Sequence, residues 1–311
     1  MNHIGTPAYS HEIGRAGSIL RVPRPSAVPV SVIIPTLNEA TNLPRCLQYL
    51  EWADEVVVVD SQSSDATAAI ALGAGRTVVQ FKWDGQWPKK KNWALRNLPL
   101  KHAWVLIVDA DECIVPELAE EIAGAISGAI GDPDKVGYFI NRRFMFMGVW
   151  LKHCGYYPSW NLRLIKRGFG EYEKLTDVGD TGSGDNEVHE HVIATGPVGY
   201  LKHDMLHYAF PTIGVFMEKH NRYSNWEAAV ELRRNRGDAA AIGSNLSSVR
   251  RLKDFSRRLP FRPTLRFLYA YVWKLGFLDG RPGYIFCRLL AIYEFLSVAK
   301  YVEMKRGGGE R

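Results

Sequence analysis

Several protein classes are excluded by what this sequence lacks. Its four cysteines, Cys46, Cys113, Cys154 and Cys287, lie far apart with no CxxC pair. That argues against a zinc knuckle or a disulfide framework and fits a reducing compartment. No run of 18 uncharged apolar residues occurs, so a simple spanning helix is not expected. The first 28 residues mix Gly, Pro, Ser, His and Arg without an apolar segment and read as a flexible N-terminal extension, not a secretory signal. There is no internal repeat. No glycine-rich fingerprint follows the first apolar run, which argues against a dinucleotide-binding dehydrogenase.

What remains is ordinary for a globular chain. Of 311 residues, 46% are hydrophobic and 23% charged, which suits one large domain with an appendage. The net charge of +6 and pI near 9.0 exclude an acidic solvating protein. They leave nucleic acid, an anionic membrane and an anionic substrate open as partners.

Periodicity then organises the chain. Val30–Ile34, Val56–Val59, Thr77–Val79 and Trp104–Val108 are short apolar or β-branched runs. Helix-spaced segments follow at Leu43–Leu50, Ala66–Leu72, Lys90–Leu98 and Pro116–Ile130. That rhythm predicts βαβ units and an α/β fold with a mostly parallel central sheet flanked by helices. Beyond Asp132 the rhythm changes. Val136–Ile140, Asn161–Ile165 and Glu187–Ile193 read as strands, Phe144–Trp160 is an aromatic stretch, and Phe216–Glu231 reads as a helix. The resulting division is an extension at 1–28 and an α/β body at 29–235, with halves at 29–125 and 126–235. A linker at 236–248, a basic aromatic helical region at 249–304 and a flexible tail at 305–311 follow.

Three strand ends carry polar residues suited to chemistry. Parallel sheets bind ligands at the carboxyl ends of their strands. The first end is Pro35-Thr36-Leu37-Asn38-Glu39, which by itself reads first as a proline turn with an Asn cap. The second is Asp60-Ser-Gln-Ser63-Ser64-Asp65. Asp65 and the serines can cap the next helix, whereas Asp60 is placed to accept from an imide or a ribose hydroxyl. The third is Asp109-Ala110-Asp111-Glu112. Carboxylates two residues apart can serve one hard divalent cation, and three acids crowded there repel one another without a compensating cation. Asp132-Pro-Asp134 has the same spacing in a predicted loop and reads only as a turn.

Together, SVIIPTLNEATNLPRCL, VVVVDSQSSDAT and WVLIVDADECIVPEL resemble the nucleotide-binding half of the family 2 glycosyltransferases, which have the GT-A fold. GVWLKHCGYYPSWNLRLIKRG, VHEHVIATGPVGYLKHDMLHYAF and KLGFLDGRPGYIF resemble the lipopolysaccharide inner-core β-1,4-glucosyltransferase branch. The resemblance runs from residue 30 to 304. It departs at Gln62-Ser63, where the family often has Gly-Ser, and in the unusually basic Trp87–Asn92.

The resemblance implies an inverting, metal-dependent hexosyltransferase using a UDP-sugar. Its acceptor would be a membrane-held glycan, such as a lipopolysaccharide core, at the cytoplasmic face of a bacterial inner membrane. Pro35, Thr36, Asn38, Glu39, Asp60, Asp109 and Ala110 would line the donor pocket, Asp60 facing the uracil imide. Asp109 and Asp111 would hold Mg²⁺ or Mn²⁺, with His207 as a third ligand. Lys90 or Lys91 would add positive charge near the phosphates, or form a solvated basic turn. Glu190 is the expected base, with Asp185 and Glu187 as fallbacks. Strand alternation groups it with Val188 and Val192, which should raise its pKa; the alternative is an ion pair with an arginine such as Arg163. Trp150, Tyr156, Tyr157 and Trp160 could form a sugar-stacking wall or belong to the core. Two other functions fit the same donor site: transfer to polyprenyl phosphate, and a catalytically silent sugar-nucleotide-binding scaffold.

The positive charge is local. Residues 250–266 hold seven of the 39 basic residues and one of the 33 acidic ones, so the remainder has 32 of each. Phe261–Glu303 holds 11 of the chain's 36 aromatics. That pairing suits an anionic membrane surface, where each cation contributes about 1 kcal/mol, and no nucleic-acid motif accompanies it. Gly276–Gly283 should break this region into two helices, interfacial or packed on the catalytic body.

Overall fold

Val30, Val32 and Ile34 are buried on one side of their strand and Ser31 and Ile33 on the other, as expected of a strand at the centre of a sheet. The computed structural model describes residues 27–173, 191–235 and 261–307. The central strand is β1 (Val28–Thr36), flanked in parallel by β2 (Ala53–Asp60) and β4 (Trp104–Ile107), with β3 (Thr77–Gln80) parallel beyond β2. Helices α1 (Leu43–Gln48), α2 (Thr67–Gly73) and α3 (Lys90–Asn97) connect them. Period-2 alternation divides the core into two layers. Val30, Val32, Val56, Val58 and Leu106 pack on one side of the sheet. Ile33, Val57, Val59, Val105 and Ile107 pack on the other, with Ala94 of α3.

Beyond β4 the sheet becomes mixed. β8 (Trp160–Lys166) runs antiparallel to both β4 and β6 (Gly137–Phe146). β12 (Met205–His207) lies between β6 and β5 (Glu112–Cys113). Short strands β7 (Val149–Trp150) and β11 (Val198–Tyr200) also pair with β6, and β9 (Gly170–Tyr172) pairs with β10 (Val192–Ala194). The α/β class and the parallel strands β1 to β4 are as expected.

Two expected boundaries move, each for a local reason. Helix α4 (Pro116–Ser127) stops before Ile130 because Gly128 takes a left-handed φ of 76°, a frequent helix end. Strand β6 continues six residues past Ile140. Its polar residues Asn141, Arg142 and Arg143 interrupt the apolar pattern but find partners at Asp204, Ser159 and Glu112. Asp132-Pro-Asp134 is the turn expected of it, with the Asp134 N–H donating to the Asp132 carboxylate at 3.0 Å.

The C-terminal region packs on the body. Helix α5 (Ile213–Asn235) lies beside α7 (Gly280–Gly307), and α6 (Arg262–Leu268) leads through a π-helical turn (Tyr269–Trp273) and a 3-10 turn (Gly276–Asp279) into α7. The expected break is there, but α7 starts at Gly280, with Pro282 in the first turn that tolerates proline. Gly283 has no room for a side chain, since a Cβ would sit 2.2 Å from the Gly276 carbonyl oxygen. Phe144 and Phe146 of β6, Phe216 of α5 and Ala270, Phe286 and Leu290 share one core. Asp279 fastens the segment further, accepting from the His153 N–H at 2.9 Å and pairing with His153 Nδ1 at 2.7 Å. Among the described residues no helix is long and apolar enough to cross a membrane. All four cysteines are free and buried. The expected linker at 236–248 and most of the basic cluster at 250–266 lie outside the described residues.

Candidate active site

The parallel pairing of β1 with β2 sets Thr36 against Asp60, so the loops after both strands share one sheet edge. Asp60 is buried and accepts four hydrogen bonds: from the Thr36 hydroxyl (3.0 Å), Gln80 Nε2 (3.0 Å), the Ser63 N–H (3.1 Å) and the Ser63 hydroxyl. Burial alone would raise its carboxyl pKa, but the bonds from Ser63 and Gln80 outweigh it and hold the group below the ordinary value. All four lone-pair sites of a carboxylate are thereby engaged. A base imide could reach Asp60 only if a protein donor turned aside.

The two loops are stitched together. Asn38, in the left-handed region at φ 56°, accepts the Ser64 N–H at 2.8 Å, and its own N–H donates to Ser63 Oγ. Asp65 bonds the N–H groups of Thr67 and Ala40. Asp65 therefore serves the start of α2 as expected, while the serines hold the neighbouring loop. Pro35 is half-buried at the end of β1. The Lys90 ammonium is buried and donates to the Thr36 carbonyl at 2.9 Å, so it is not a solvated turn residue.

Asp109, Ala110 and Asp111 follow β4 after Val108. The Asp109 carboxylate meets Lys91 at 3.0 Å on one oxygen and Arg163 at 2.5 Å on the other. Burial would raise its pKa, yet Arg163 and Lys91 hold it well below the ordinary carboxylate range. Glu112 is fully buried and takes Arg163 at 2.6 Å and Arg142 at 3.5 Å. Ala110 is buried in the core, leaving only its backbone to meet a ligand. Asp111 faces His207 Nε2 at 3.7 Å and Lys219 Nζ at 3.9 Å. Against the cost of burial, His207 and Lys219 keep its carboxyl below the ordinary value. Glu39, half-buried nearby and bonded to Asn42, is instead pushed up, chiefly by burial and further by the charge of Asp111.

His207 arrives by register: antiparallel pairing of β12 with β5 sets it opposite Glu112. Among the described residues no three His, Cys, Asp or Glu side chains converge tightly enough to hold a metal ion alone. The donor set nevertheless suits a hard cation shared with phosphate oxygens. Asp111 and His207 stand at distances too long for a tight hydrogen bond, whereas both oxygens of Asp109 are held by protein cations. Asp111 and His207 fit as direct ligands, and Asp109 fits as the group that orients Lys91 and Arg163.

Glu190, Asp185 and Glu187 lie outside the described residues. Among the described residues Arg163 pairs with Asp109 and Glu112. The aromatic wall does not form as one surface: Tyr156 packs on Phe144 and Phe286, Trp160 on Tyr200, and Trp150 on Tyr157. Sequence reasoning missed Lys219 and the roles of Arg163 and Arg142. Arg163 carried a usable signal, because a lone arginine inside the apolar strand Leu162-Arg-Leu-Ile165 needs a buried anion. Lys219 carried none.

Residues 31–173 match the model of the glycosyl transferase family 2. The lipopolysaccharide core biosynthesis glycosyltransferase LpsC of Rhizobium meliloti is 28% identical over 88% of this chain and 92% of its own. The uncharacterized glycosyltransferase RP128 of Rickettsia prowazekii is 26% identical over 87% and 86%. Among solved structures, the mannosyltransferase PcManGT of Pyrobaculum calidifontis, in complex with GDP-Man and Mn²⁺, is 16% identical with a TM-score of 0.43, covering 90% of this chain and 88% of its own. Residues 31–173 therefore carry a family 2 glycosyltransferase domain, set in a mixed, helix-flanked sheet that fits the GT-A fold expected of it.

Proposed function

We propose that this glycosyltransferase moves a hexose from a UDP-sugar, with inversion, to a glycan held at a membrane. The observation that carries the reading is the placement of Asp109 and Asp111 at the carboxyl end of β4, among Lys91, Arg163, His207 and Lys219. In such a transfer the acceptor hydroxyl oxygen attacks the anomeric carbon, its proton passes to a base, and the bond to the diphosphate breaks to release UDP. Negative charge grows on the leaving diphosphate, and fixed cations aimed at it lower the barrier. Lys219 and Lys91 are the chain's own cations at that position, held in place by Asp111 and Asp109. Mg²⁺ or Mn²⁺ held by Asp111 and His207 would supply further charge there. Glu190 is the base in this proposal, and Asp60 with Thr36 and Asn38 shapes the nucleotide side.

Two features support a membrane-held acceptor and location at a bacterial inner-membrane face. The relative LpsC is a lipopolysaccharide core biosynthesis enzyme by name. The C-terminal segment also presents large apolar side chains to solvent: Phe261 is 80% exposed and Trp273 77%, with Val272, Phe277 and Leu278 nearby in sequence also exposed. Such a patch marks an interaction surface. Arg262 does not serve the basic side of this surface, because it pairs with Glu294 at 2.5 Å and Glu231 at 3.2 Å inside the helical bundle.

The test is a UDP-release screen across nucleotide sugars with membrane glycolipid extracts, with and without EDTA. Cation-dependent release that rises with the extract is expected. Absence of release with any donor would support a silent binding protein instead.

A further inference from the structure

Beside His207 lies a cavity of about 350 Å³ whose lining includes no residue of the β1 and β2 loops. Arg142 from β6 and Arg266 from α6 line it, together with Ser159, Tyr156 and His207. Its lining contains two guanidinium groups and no carboxylate. Arg142 is tethered by Ser159 Oγ at 3.0 Å and more loosely by Glu112 at 3.5 Å, and Glu112 is also engaged by Arg163 at 2.6 Å. Arg266 has no carboxylate within ion-pair distance among the described residues. Its guanidinium lies beside the buried phenol of Tyr156.

Two arginines brought together from positions 142 and 266 repel each other unless an anion joins them. The guanidinium fork matches carboxylate and phosphate oxygens better than any other common ligand. The volume suits a group of monosaccharide size. His207 forms part of the lining while its Nε2 stands 3.7 Å from Asp111, so an occupant would adjoin the reacting centre without sharing the nucleotide loops.

We propose that this cavity is an oxyanion subsite on the acceptor side, in which Arg142 and Arg266 grip a carboxylate or phosphate carried by the acceptor next to the hydroxyl that takes up the sugar. The inference rests on the sugar-transfer reading and deepens it. It also gives the C-terminal segment, which lies beyond the matched family domain, a direct part in choosing the acceptor. Arg266 acts here by binding, and the transfer step itself does not require it.

The test uses the full chain saturated with UDP and Mg²⁺, titrated by calorimetry with inorganic phosphate in one arm and acetate in the other. The wild type should bind one of these anions, and the tighter arm identifies the acceptor group as phosphate or carboxylate. Arg266→Gln should weaken that binding at least tenfold, Arg266→Lys less, with UDP affinity unchanged. In turnover, Arg266→Gln should raise the KM for glycolipid acceptor at least tenfold and leave UDP-sugar hydrolysis by water unchanged. Equal anion binding by wild type and Arg266→Gln, competition between the anion and UDP, or an unchanged acceptor KM would each overturn the subsite. UDP binding without any anion binding overturns the subsite alone, whereas a wild type that binds no UDP overturns the transfer reading together with it. Arg266→Lys and thermal melts guard against a folding defect in the glutamine variant.

Discussion

Arg163 Nη2 lies 2.6 Å from Glu112 Oε1, and that carboxylate has no exposure to solvent. The same nitrogen reaches Asp109 at 2.5 Å, so one buried cation bridges two acids of the cluster after β4. Replacing Arg163 by Met should therefore cost about 3–5 kcal/mol, because it leaves Glu112 fully buried with only the longer contact to Arg142 at 3.5 Å. Urea denaturation measures this. A loss below about 1 kcal/mol would contradict the role given to this buried pairing.

Asp60 should respond differently. Asn in its place turns an acceptor into a donor facing Gln80 Nε2 or the Ser63 N–H, both of which donate to it now. The expected cost is about 1–3 kcal/mol for the mismatched pairing, together with weaker UDP binding as the loops separate. Thermal melting and calorimetry read the two effects. Unchanged values in both would contradict the role given to Asp60.

These two residues show how much was legible beforehand. The valine run before Asp60 and the apolar run before Asp109 announced strands, and an acid at the end of each marked a candidate site, because parallel strands expose only their ends. The partners of those acids were not legible. Gln80 reaches Asp60 through the β2–β3 register, Arg163 reaches Asp109 from a strand more than 50 residues later, and Lys219 reaches Asp111 from a helix over 100 residues away. Such pairings depend on how the sheet closes, and local periodicity carries no trace of them. The three-residue strand bearing His207 escaped for a related reason, being too short to show alternation.

His220 should make stability sensitive to acid. Its ring is buried against Phe216, its Nδ1 lies 2.8 Å from the Phe216 carbonyl, and burial pushes its pKa down to about 4 from 6.5. The unfolded chain therefore binds this proton first as pH falls. Stability from the neutral ring is complete above about pH 6.5 and declines as pH drops toward 4, by on the order of 3 kcal/mol at the limit. His220→Phe should flatten that part of the stability–pH curve. A wild-type slope surviving intact in the variant would assign the effect elsewhere.

The exposed aromatic segment predicts membrane attachment. Phe261→Ser combined with Trp273→Ser should lower sedimentation with phosphatidylglycerol-containing vesicles at least tenfold, since each ring contributes roughly 1.5–3 kcal/mol when buried. The effect should persist at high salt, unlike one carried by basic side chains. Vesicle binding equal to wild type would contradict a membrane role for this surface.

The most direct test of sugar transfer is UDP formation by the Asp111→Asn variant, measured with Mn²⁺, a productive UDP-sugar and glycolipid extract. Asp111 sits where His207 and Lys219 converge, and its loss should reduce turnover about 10²–10³-fold, the scale seen when one electrostatic stabiliser is removed. Because neither neighbour makes a tight hydrogen bond to it, the melting transition should stay close to wild type. A folded Asp111→Asn protein that releases UDP at the wild-type rate would contradict the account.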